Sequence, residues 1–263
     1  MAALGTEALI LRSVDFGESD RILHLLLPDY GRLTVIAKGA RRSVKRFSGT
    51  LDLFNHLSVQ VEGLHRSSMA RLAQARLLGV FPALREDPQR FALGCYLLEL
   101  LDRLAPEGGS RDDMRRLFAF VLETLQWVEA RSPDLAQRTI LELRVLDAMG
   151  LRPELRDCVR CGRAVAGEAA ICFHVAEGGV ICGACALPQG SLLRVHLGTL
   201  RALEQGLLLD LDVVNRLVLG PESLQEARQI VTRFQHFHIG VRLQSERFLD
   251  RLLGGLSEPL PPS

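Results

Sequence analysis

Short apolar runs, separated by glycine and polar residues, fill the first part of the chain. In two of them, 32–38 and 57–62, apolar residues alternate with mostly polar ones, which is the pattern of a half-buried β-strand. Five strands in so short a segment indicate a small closed barrel of the OB-fold type, with an SH3-like barrel as the main alternative. The predicted strands are Thr6–Val14, Arg21–Leu27, Arg32–Lys38, His56–Glu62 and Met69–Leu78.

After Phe81-Pro82 the apolar residues take the spacing of amphipathic helices. One helix is predicted to begin with Pro133 at its first position and to stop at Gly150, since proline suits the first turn and glycine the end. The tail, 257–263, has three prolines and is expected to be disordered. The predicted helices are Pro88–Leu104, Arg111–Ala130, Pro133–Met149, His196–Leu209 and a stretch from Pro221 to about Leu253.

Four of the six cysteines form two matched pairs, Cys158-x-x-Cys161 and Cys182-x-x-Cys185. Each C-x-x-C turn brings two sulfurs to the same side, and two such turns complete a tetrahedral site for Zn²⁺. Gly162 follows the first pair, where a sharp turn favours a residue that tolerates positive φ. A closed site of four thiolates has no open coordination position, so the metal is expected to be structural.

The segment between the cysteine pairs predicts a β-hairpin with strands at 171–175 and 180–182. Two knuckles with a hairpin between them define a zinc ribbon. Cys95 lies in an apolar helical run and is expected to be buried, whereas Cys172 on the hairpin remains an alternative ligand. A disulfide framework is not expected without a signal peptide, and a thioredoxin-like motif would use a single C-x-x-C.

The net charge of +1 favours no polyanionic partner, but the basic residues are unevenly placed. Between Tyr30 and Leu51 there are basic residues and no acidic ones. This segment either follows DNA phosphates or is a solvated, arginine-rich loop, and the residues alone leave both readings open. Phe47 is the best candidate for stacking on a base, whereas Phe54 is expected in the core. The basic residues are Arg32, Lys38, Arg41, Arg42, Lys45 and Arg46.

Catalytic signatures are not evident in the sequence. We find no nucleophile–base pair, no phosphate-binding glycine loop and no zinc-deaminase motif, so the chain is predicted to be a binding protein and not an enzyme. His236 and His238 point about 200° apart on a helix and cannot chelate one ion together. No uncharged apolar run approaches the roughly 18 residues that span a bilayer, and a cytoplasmic, nucleoid-associated location is expected.

A second basic group falls in the predicted helices. About half of its members are expected to pair with carboxylates one helical turn away. The group comprises Arg111, Arg115, Arg116, Arg131, Arg138 and Arg144.

These patterns together predict an α+β multidomain protein. An N-terminal OB-fold barrel at 1–80 would bind nucleic acid. An α-helical domain at 81–154 and 189–256 would carry an inserted four-cysteine zinc ribbon at 155–188.

This combination resembles the RecO family of bacterial recombination mediators. The resemblance covers nearly the whole chain, and one departure is Leu51-Asp52-Leu53-Phe54, where the family usually has a proline before the aromatic residue. The segments that carry it are Glu7–Ser13 with Gly17–Leu23 (first hairpin), Tyr30–Leu33 with Ala37–Arg42 (third strand and basic loop) and His238–Ser245 (last helical region).

The resemblance implies binding of single- and double-stranded DNA, annealing of complementary strands, and help in loading the recombinase RecA onto DNA coated by single-strand-binding protein (SSB). It implies RecR and the acidic C-terminal tail of SSB as direct partners, with RecA engaged indirectly and no membrane. The alternatives are a zinc-ribbon adaptor that binds only proteins and a thiol oxidoreductase. The expected DNA contacts are Arg32, Lys38, Arg41, Arg42, Lys45, Arg46 and Phe47.

Overall fold

The computed structural model describes residues 3–43, 46–47, 49–64, 69–167, 171–186, 192–240 and 242–253. The chain divides into two compact units, residues 1–132 and 133–263. The first contains strands β1 (Leu4–Phe16), β2 (Asp20–Leu27), β3 (Gly31–Ala37), β4 (His56–Glu62) and β5 (Ala70–Gly79), then helices α1 (Pro82–Glu86), α2 (Pro88–Leu104) and α3 (Arg111–Ala130).

The second unit contains the remaining elements. They are α4 (Leu135–Ala148), β6 (Ile171–His174), β7 (Gly179–Cys182), β8 (Leu192–Val195), α5 (Leu197–Leu208), α6 (Leu211–Val214), α7 (Pro221–Ile239) and α8 (Glu246–Leu253). Helices α1 to α3 therefore cluster with the barrel, and the predicted division of the chain at residue 80 stays a prediction. The predicted tail, 257–263, lies outside the described residues.

The first five strands form a closed barrel in the order β1-β2-β3-β5-β4, and β4 pairs back with β1. All pairings are antiparallel except the short one between β3 and β5. This is the OB-like arrangement that the sequence favoured over an SH3-like barrel. Its interior is filled mainly by aliphatic side chains, among them Ile10, Leu23, Leu25, Val35, Leu57, Val59, Val61 and Leu72.

A β-bulge at Leu11 changes the direction of the side chains along β1. Ile10 lies opposite Leu25, and the next paired residue is Arg12 opposite His24, so one extra residue is inserted. Because neighbouring side chains on a strand point to opposite faces, this insertion reverses the alternation. Ser13 then pairs with the core residue Leu23, and the outer face receives Arg12 and the exposed residues Val14 and Phe16.

Helices α2 and α3 cover another part of the barrel. Leu9 and Leu11 of β1 are buried where α2 packs on that strand, and α3 contacts β2. Gly31, the first residue of β3, lies against the connection between the two helices, and the N–H of Arg32 donates to the Pro106 carbonyl at 2.9 Å. These helices therefore pack on the outside of the barrel, whose interior is filled by its own side chains.

The second unit is built around a three-stranded sheet and helices. The hairpin strands β6 and β7 match the predicted hairpin, and β8 adds a third strand beside β6, beyond the predicted ribbon limit at residue 188. Phe173 of β6 meets Phe234 of α7 edge to face, with ring centroids 6.2 Å apart. The ribbon is thus packed on a helix of its own unit.

Charged residues are buried between the helices of the second unit. Arg138 and Glu142 of α4 are fully buried, and their guanidinium and carboxylate groups lie 2.8 Å apart. Arg138 also pairs with Asp250 of α8 at 2.7 Å, and Arg228 of α7 pairs with Glu142. Burial raises the pKa of Glu142, but the two guanidinium groups outweigh it and lower the pKa.

Two helix boundaries differ from the sequence prediction. Helix α4 begins at Leu135 and not at the predicted Pro133, because Asp134 is its N-cap and its carboxylate accepts from the Gln137 N–H at 2.7 Å in a capping box. The helical stretch from Pro221 is interrupted, because Gly240 adopts φ +72° and ends α7. Short elements α1, α6 and β8 were not predicted.

The close approach at Gly31 predicts a stability effect. A Cβ at this position would lie 2.5 Å from the Pro106 carbonyl oxygen and 2.8 Å from the Met114 sulfur, and the backbone has φ +68°. We expect Gly31→Ala to lower the free energy of unfolding by about 3 kcal/mol, measured by urea denaturation. Gly63→Ala is the control, since φ is also positive there but no atom lies within 4 Å. Equal losses for both variants would contradict the account.

Candidate metal centre and nucleic-acid interface

The four cysteines of the two C-x-x-C turns come together in the second unit. The sulfurs of Cys158, Cys161, Cys182 and Cys185 all lie within 4.8 Å of one another. The Cys161 and Cys182 sulfurs are 3.8 Å apart, too far for a disulfide bond. A tetrahedron with zinc–sulfur bonds of about 2.3 Å has sulfurs about 3.8 Å apart, so the donor set fits Zn²⁺.

Backbone hydrogen bonds fix the two turns that carry the sulfurs. In the first turn, the Gly162 N–H donates to the Cys158 carbonyl at 2.8 Å, and Gly162 has φ +70° as expected for a knuckle. In the second, the Cys185 N–H donates to the Cys182 carbonyl at 3.0 Å. The Val159 N–H donates to Val180 of β7 at 2.9 Å, so the first turn is attached directly to the hairpin.

The thiols of Cys158 and Cys185 differ in how readily they ionise. Burial opposes ionisation of Cys158, but the backbone N–H groups of Cys182, Arg160 and Cys161 outweigh it and lower the pKa of Cys158 to about 6. Hydrogen bonds with the sulfurs of Cys182 and Cys161 raise the pKa of Cys185 to about 12. Four sulfurs at this spacing can all be thiolates only beside a cation, which a divalent metal supplies.

Arg160 links the cluster to the turn of the β6–β7 hairpin. Its guanidinium donates to both carboxylate oxygens of Glu177, at 2.7 to 3.3 Å, and to the Cys185 carbonyl at 2.7 Å. The hydrogen bond from Arg160 lowers the pKa of Glu177. This side chain therefore holds the two knuckles and the hairpin turn together.

Cys172 was an alternative ligand on sequence grounds. It lies on β6 opposite Ile181 and Arg194, and the four-sulfur group found among the described residues does not include it. The other remaining thiol, Cys95 of α2, is only partly buried and not fully buried as predicted, and this burial raises its pKa to about 11.

The basic loop of the first unit lies at one end of the barrel, beside the turn between β1 and β2. After β3 the chain forms a short 3₁₀ turn, Ala40–Arg42, and the Gly39 N–H donates to the Asp20 carboxylate at 2.8 Å. The Arg41 N–H donates to the Ser19 carbonyl at 2.9 Å. We define the basic end as Lys38, Arg41, Arg42 and Arg46, all of which are exposed.

Carboxylates from the β1–β2 turn partly neutralise the basic end. Arg41 lies 3.4 Å from Asp15, and Arg42 lies 3.4 Å from Glu18. The N–H of Gly39 lowers the pKa of Asp20, which therefore stays charged. The sequence segment contains no acidic residue, but the folded neighbourhood does, so this end of the barrel is less basic than its own segment predicts.

Arg32 does not join the basic end. It lies at the start of β3, about 20 Å along the strand from Lys38 at 3.3 Å per residue. Its guanidinium pairs with Glu107 and lies 3.6 Å from Asp102 of α2. Lys45, also predicted to contact DNA, lies outside the described residues.

Phe47 is not available for stacking, so that prediction is wrong. Its side chain is 3% exposed, because it packs among the aliphatic side chains of the barrel core. Phe54 is buried as expected and packs edge to face on Phe91, with ring centroids 5.7 Å apart. Residue 54 has φ +69°, within the segment that departs from the family pattern.

Phe16 is the aromatic residue that the sequence reasoning passed over. It is 52% exposed at the end of β1 and precedes Gly17, whose carbonyl accepts a hydrogen bond from Arg41 at 3.2 Å. Simple alternation from Ile10 predicts an inward side chain at this position. Phe16 points outward because of the bulge in β1, and no residue in the sequence indicates that bulge.

The second basic group is divided between the two units, and five of its members make structural contacts. Two of them, Arg116 and Arg138, pair with a carboxylate one helical turn away. Arg115 pairs with Asp29 at 2.6 Å, and Arg116 pairs with Asp113 on its own helix. Arg131 lies 5.1 Å from the centre of the Trp127 ring. In the second unit Arg138 is buried, and Arg144 donates to the Gly206 carbonyl at 2.7 Å.

An OB-like barrel followed by a helical region with a four-cysteine cluster defines the class of this protein. Residues 1–81 match the model of the recombination protein O N-terminal region, and residues 85–247 match that of its C-terminal region. The chain therefore belongs to the RecO family, and membership supports a role in DNA repair and recombination.

Relatives in three bacteria match nearly the whole chain, and each is named DNA repair protein RecO. The protein of Anaeromyxobacter dehalogenans is 37% identical over 253 residues, covering 94% of this chain and 97% of the relative. That of Myxococcus xanthus is 35% identical, covering 92% and 95%. That of Symbiobacterium thermophilum is 32% identical, covering 96% and 98%. In the part of the chain that the structure describes, no helix is long and apolar enough to cross a membrane.

The geometry of the sulfur cluster predicts that zinc binding requires Cys161 and does not require Cys172. We expect Cys161→Ser to reduce bound zinc from about one ion per chain to nearly none and to reduce solubility, because three thiolates no longer close the site. Cys172→Ser is the matched control and should keep its zinc. Metal content is measured by mass spectrometry of the acid-released ion. Full zinc in the Cys161 variant, or loss in the Cys172 variant, would contradict this ligand assignment.

Proposed function

We propose that this protein is a recombination mediator that binds single- and double-stranded DNA at the basic end of its barrel. It anneals complementary strands and helps to load RecA onto SSB-coated DNA. The observation that carries the proposal is the collection of Lys38, Arg41, Arg42 and Arg46 beside the β1–β2 turn of an OB-like barrel. Family membership supports the same role.

The chemistry of the basic end suits contact with the phosphate backbone. Guanidinium groups bind phosphate oxygens with two parallel hydrogen bonds, and such contacts carry no sequence information. Binding of this kind tolerates any base sequence, which annealing requires. Release of counterions from the phosphates makes the affinity fall steeply with salt.

The carboxylates at the basic end compete with DNA. A phosphate that approaches Arg41 or Arg42 replaces Asp15 or Glu18 as the partner of the guanidinium group. Exposed pairs of this type are worth about 1 kcal/mol or less, so the exchange is feasible. It gives moderate affinity and allows strands to be released after annealing.

The four-cysteine cluster is proposed to hold a structural zinc ion that stabilises the β6–β7 ribbon. Four thiolates leave no position for substrate or water, so the zinc takes no part in a reaction, and the protein acts by binding alone. RecR and the C-terminal tail of SSB are proposed as partners because the chain belongs to the RecO family.

A zinc-ribbon adaptor that binds only proteins is the second candidate. The partial neutralisation of the basic end by Asp15, Glu18 and Asp20 favours it. The two candidates differ in whether the purified protein binds DNA in a salt-dependent way.

Loss of two arginines at the basic end should weaken DNA binding. We expect Arg41→Ala/Arg42→Ala to lower the affinity for labelled single-stranded DNA and to reduce the slope of log K against log salt by about 1.4, since each phosphate contact contributes about 0.7. Fluorescence anisotropy over a salt series measures both. Arg115→Ala/Arg116→Ala removes the same charge from α3 and should leave the slope unchanged. Equal effects of the two double variants would contradict the assignment of DNA binding to the basic end. If the wild type bound no DNA, the protein-only adaptor would be the remaining candidate.

Removal of the competing carboxylates should act in the opposite direction. We expect Asp15→Asn/Glu18→Gln to raise the affinity for single-stranded DNA at least about threefold at low salt, because Arg41 and Arg42 lose their internal partners. Asp112→Asn/Asp113→Asn on α3 controls for the change in net charge. A gain of the same size in both variants, measured by the same anisotropy titration, would show that only net charge matters.

A further inference from the structure

The outer face of β1, β2 and β3 carries apolar side chains that the helices do not cover. Val14 of β1 lies opposite Ile22 of β2, and Ile22 lies opposite Ile36 of β3. Val14 is exposed, and the two isoleucines are half-buried. Phe16 extends this strip by one further outward position on β1. We call Val14, Phe16, Ile22 and Ile36 the apolar strip.

Basic groups border the apolar strip. Arg12 lies at one end, on the row with His24 and Thr34, and Arg71 of β5 continues the row of Ile36. At the other end Phe16 pairs with Asp20, whose carboxylate accepts from the Gly39 N–H beside Lys38. Arg41 donates to the carbonyl groups of Gly17 and Glu18, the residues that follow Phe16. An apolar surface with an exposed aromatic ring is therefore bordered by cations, with the carboxylates of Asp15 and Asp20 among them at the Phe16 end.

The remaining outer face of the barrel differs. In three paired rows of β4 and β5 the outward residues are polar, with Ser58 opposite Arg76, Gln60 opposite Gln74 and Glu62 opposite Arg71. Exposed aliphatic side chains occur at the end of β5, at Leu77 and Leu78, but these rows present no aromatic ring. Among the described residues of the strands, an exposed aromatic ring beside aliphatic and cationic groups is found on the β1–β2–β3 side.

We propose that the apolar strip is a base-stacking platform for single-stranded DNA, with Phe16 as the residue that distinguishes single strands from duplex. The inference rests on the proposed DNA-binding function and goes beyond it. Unpaired bases present free faces, which pack on an aromatic ring and on aliphatic side chains while the phosphates meet the bordering cations. In a duplex the bases are stacked on one another, so Phe16 gains no such contact.

The charges around the apolar strip indicate which kind of molecule binds there. A protein segment that docked only through apolar side chains would not engage the exposed cations Arg12 and Lys38, and Arg41 would keep Asp15 as its partner. A nucleic-acid strand satisfies both features, because each nucleotide offers an apolar face and an anionic phosphate. The bulge at Leu11 is the feature that places Phe16 on this side of the strand.

Two variants test the platform in the full-length protein. Phe16→Ala should weaken binding of oligo(dT) about tenfold or more, while binding of a duplex stays within about twofold. Leu78→Ala is the matched control, because Leu78 is 53% exposed at the far end of β5, against 52% for Phe16. Anisotropy titrations at one fixed salt concentration measure both ligands, and thermal unfolding verifies that the variants are folded.

Phe16→Trp gives a direct spectroscopic readout. The wild-type chain has one tryptophan, Trp127, which is 3% exposed, so its emission should change little with DNA. The new indole should be quenched by oligo(dT) and much less by duplex, as expected when a base stacks on it.

The outcomes of these titrations distinguish failure of the base-stacking platform from failure of the proposed DNA-binding function. If the wild type binds both DNAs but Phe16→Ala binds oligo(dT) as well as the wild type does, the platform is wrong and the proposed function stands. Equal weakening for oligo(dT) and duplex also overturns the platform, since Phe16 would then support the fold of the turn. If the wild type binds neither DNA, both the proposed function and the platform fail.

Discussion

One additional residue in the first strand decides which side chains the barrel presents to solvent. Strand β1 pairs with β2 on one side and β4 on the other, so it closes the barrel, and its register is fixed at both edges. The bulge at Leu11 keeps Ile10 in the core and reverses the alternation that follows. As a result Val14 and Phe16 lie outside, next to the turn that meets the basic end.

Electrostatic contacts serve different purposes in the two units. At the basic end of the barrel the ion pairs are exposed, so each contributes little to stability and can be exchanged at low cost. In the second unit Arg138 and Glu142 are fully buried, and their pairing joins α4 to α7 and α8. Removing one member of such a pair leaves an uncompensated charge, which is far more costly than losing a surface pair.

Local patterns in the sequence predicted the elements well. Strand β4 and helices α2 and α3 have the predicted bounds, and the cysteine spacing indicated the cluster that the fold assembles. These features depend on periodicity or on short spacings. Other features depend on contacts between distant segments, which no local pattern indicates: Phe47 packs in the barrel, Arg32 meets carboxylates near the end of α2, and Asp15 and Glu18 approach Arg41 and Arg42.

The bulge in β1 and the helix end at Gly240 show a second limit of prediction from apolar patterns. A bulge needs no particular residue, so the switch that exposes Phe16 leaves no mark in the apolar pattern. Gly240 is visible as a glycine, but apolar periodicity continues on both sides; its left-handed conformation ends α7, and α8 begins at Glu246. The bulge reverses the side-chain directions along β1 and Gly240 ends a helix, but neither alters the apolar pattern of the sequence.

Hydroxyl-radical footprinting of the protein with and without saturating single-stranded DNA shows whether DNA covers Phe16 on the barrel. Phe16 is exposed and reactive in the free protein, so its oxidation should fall strongly when DNA covers the β1–β2–β3 side of the barrel. Leu77 and Leu78, exposed at the far end of β5, should be oxidised at an unchanged rate. Unchanged oxidation of Phe16 at saturation, with protection elsewhere, would contradict the account.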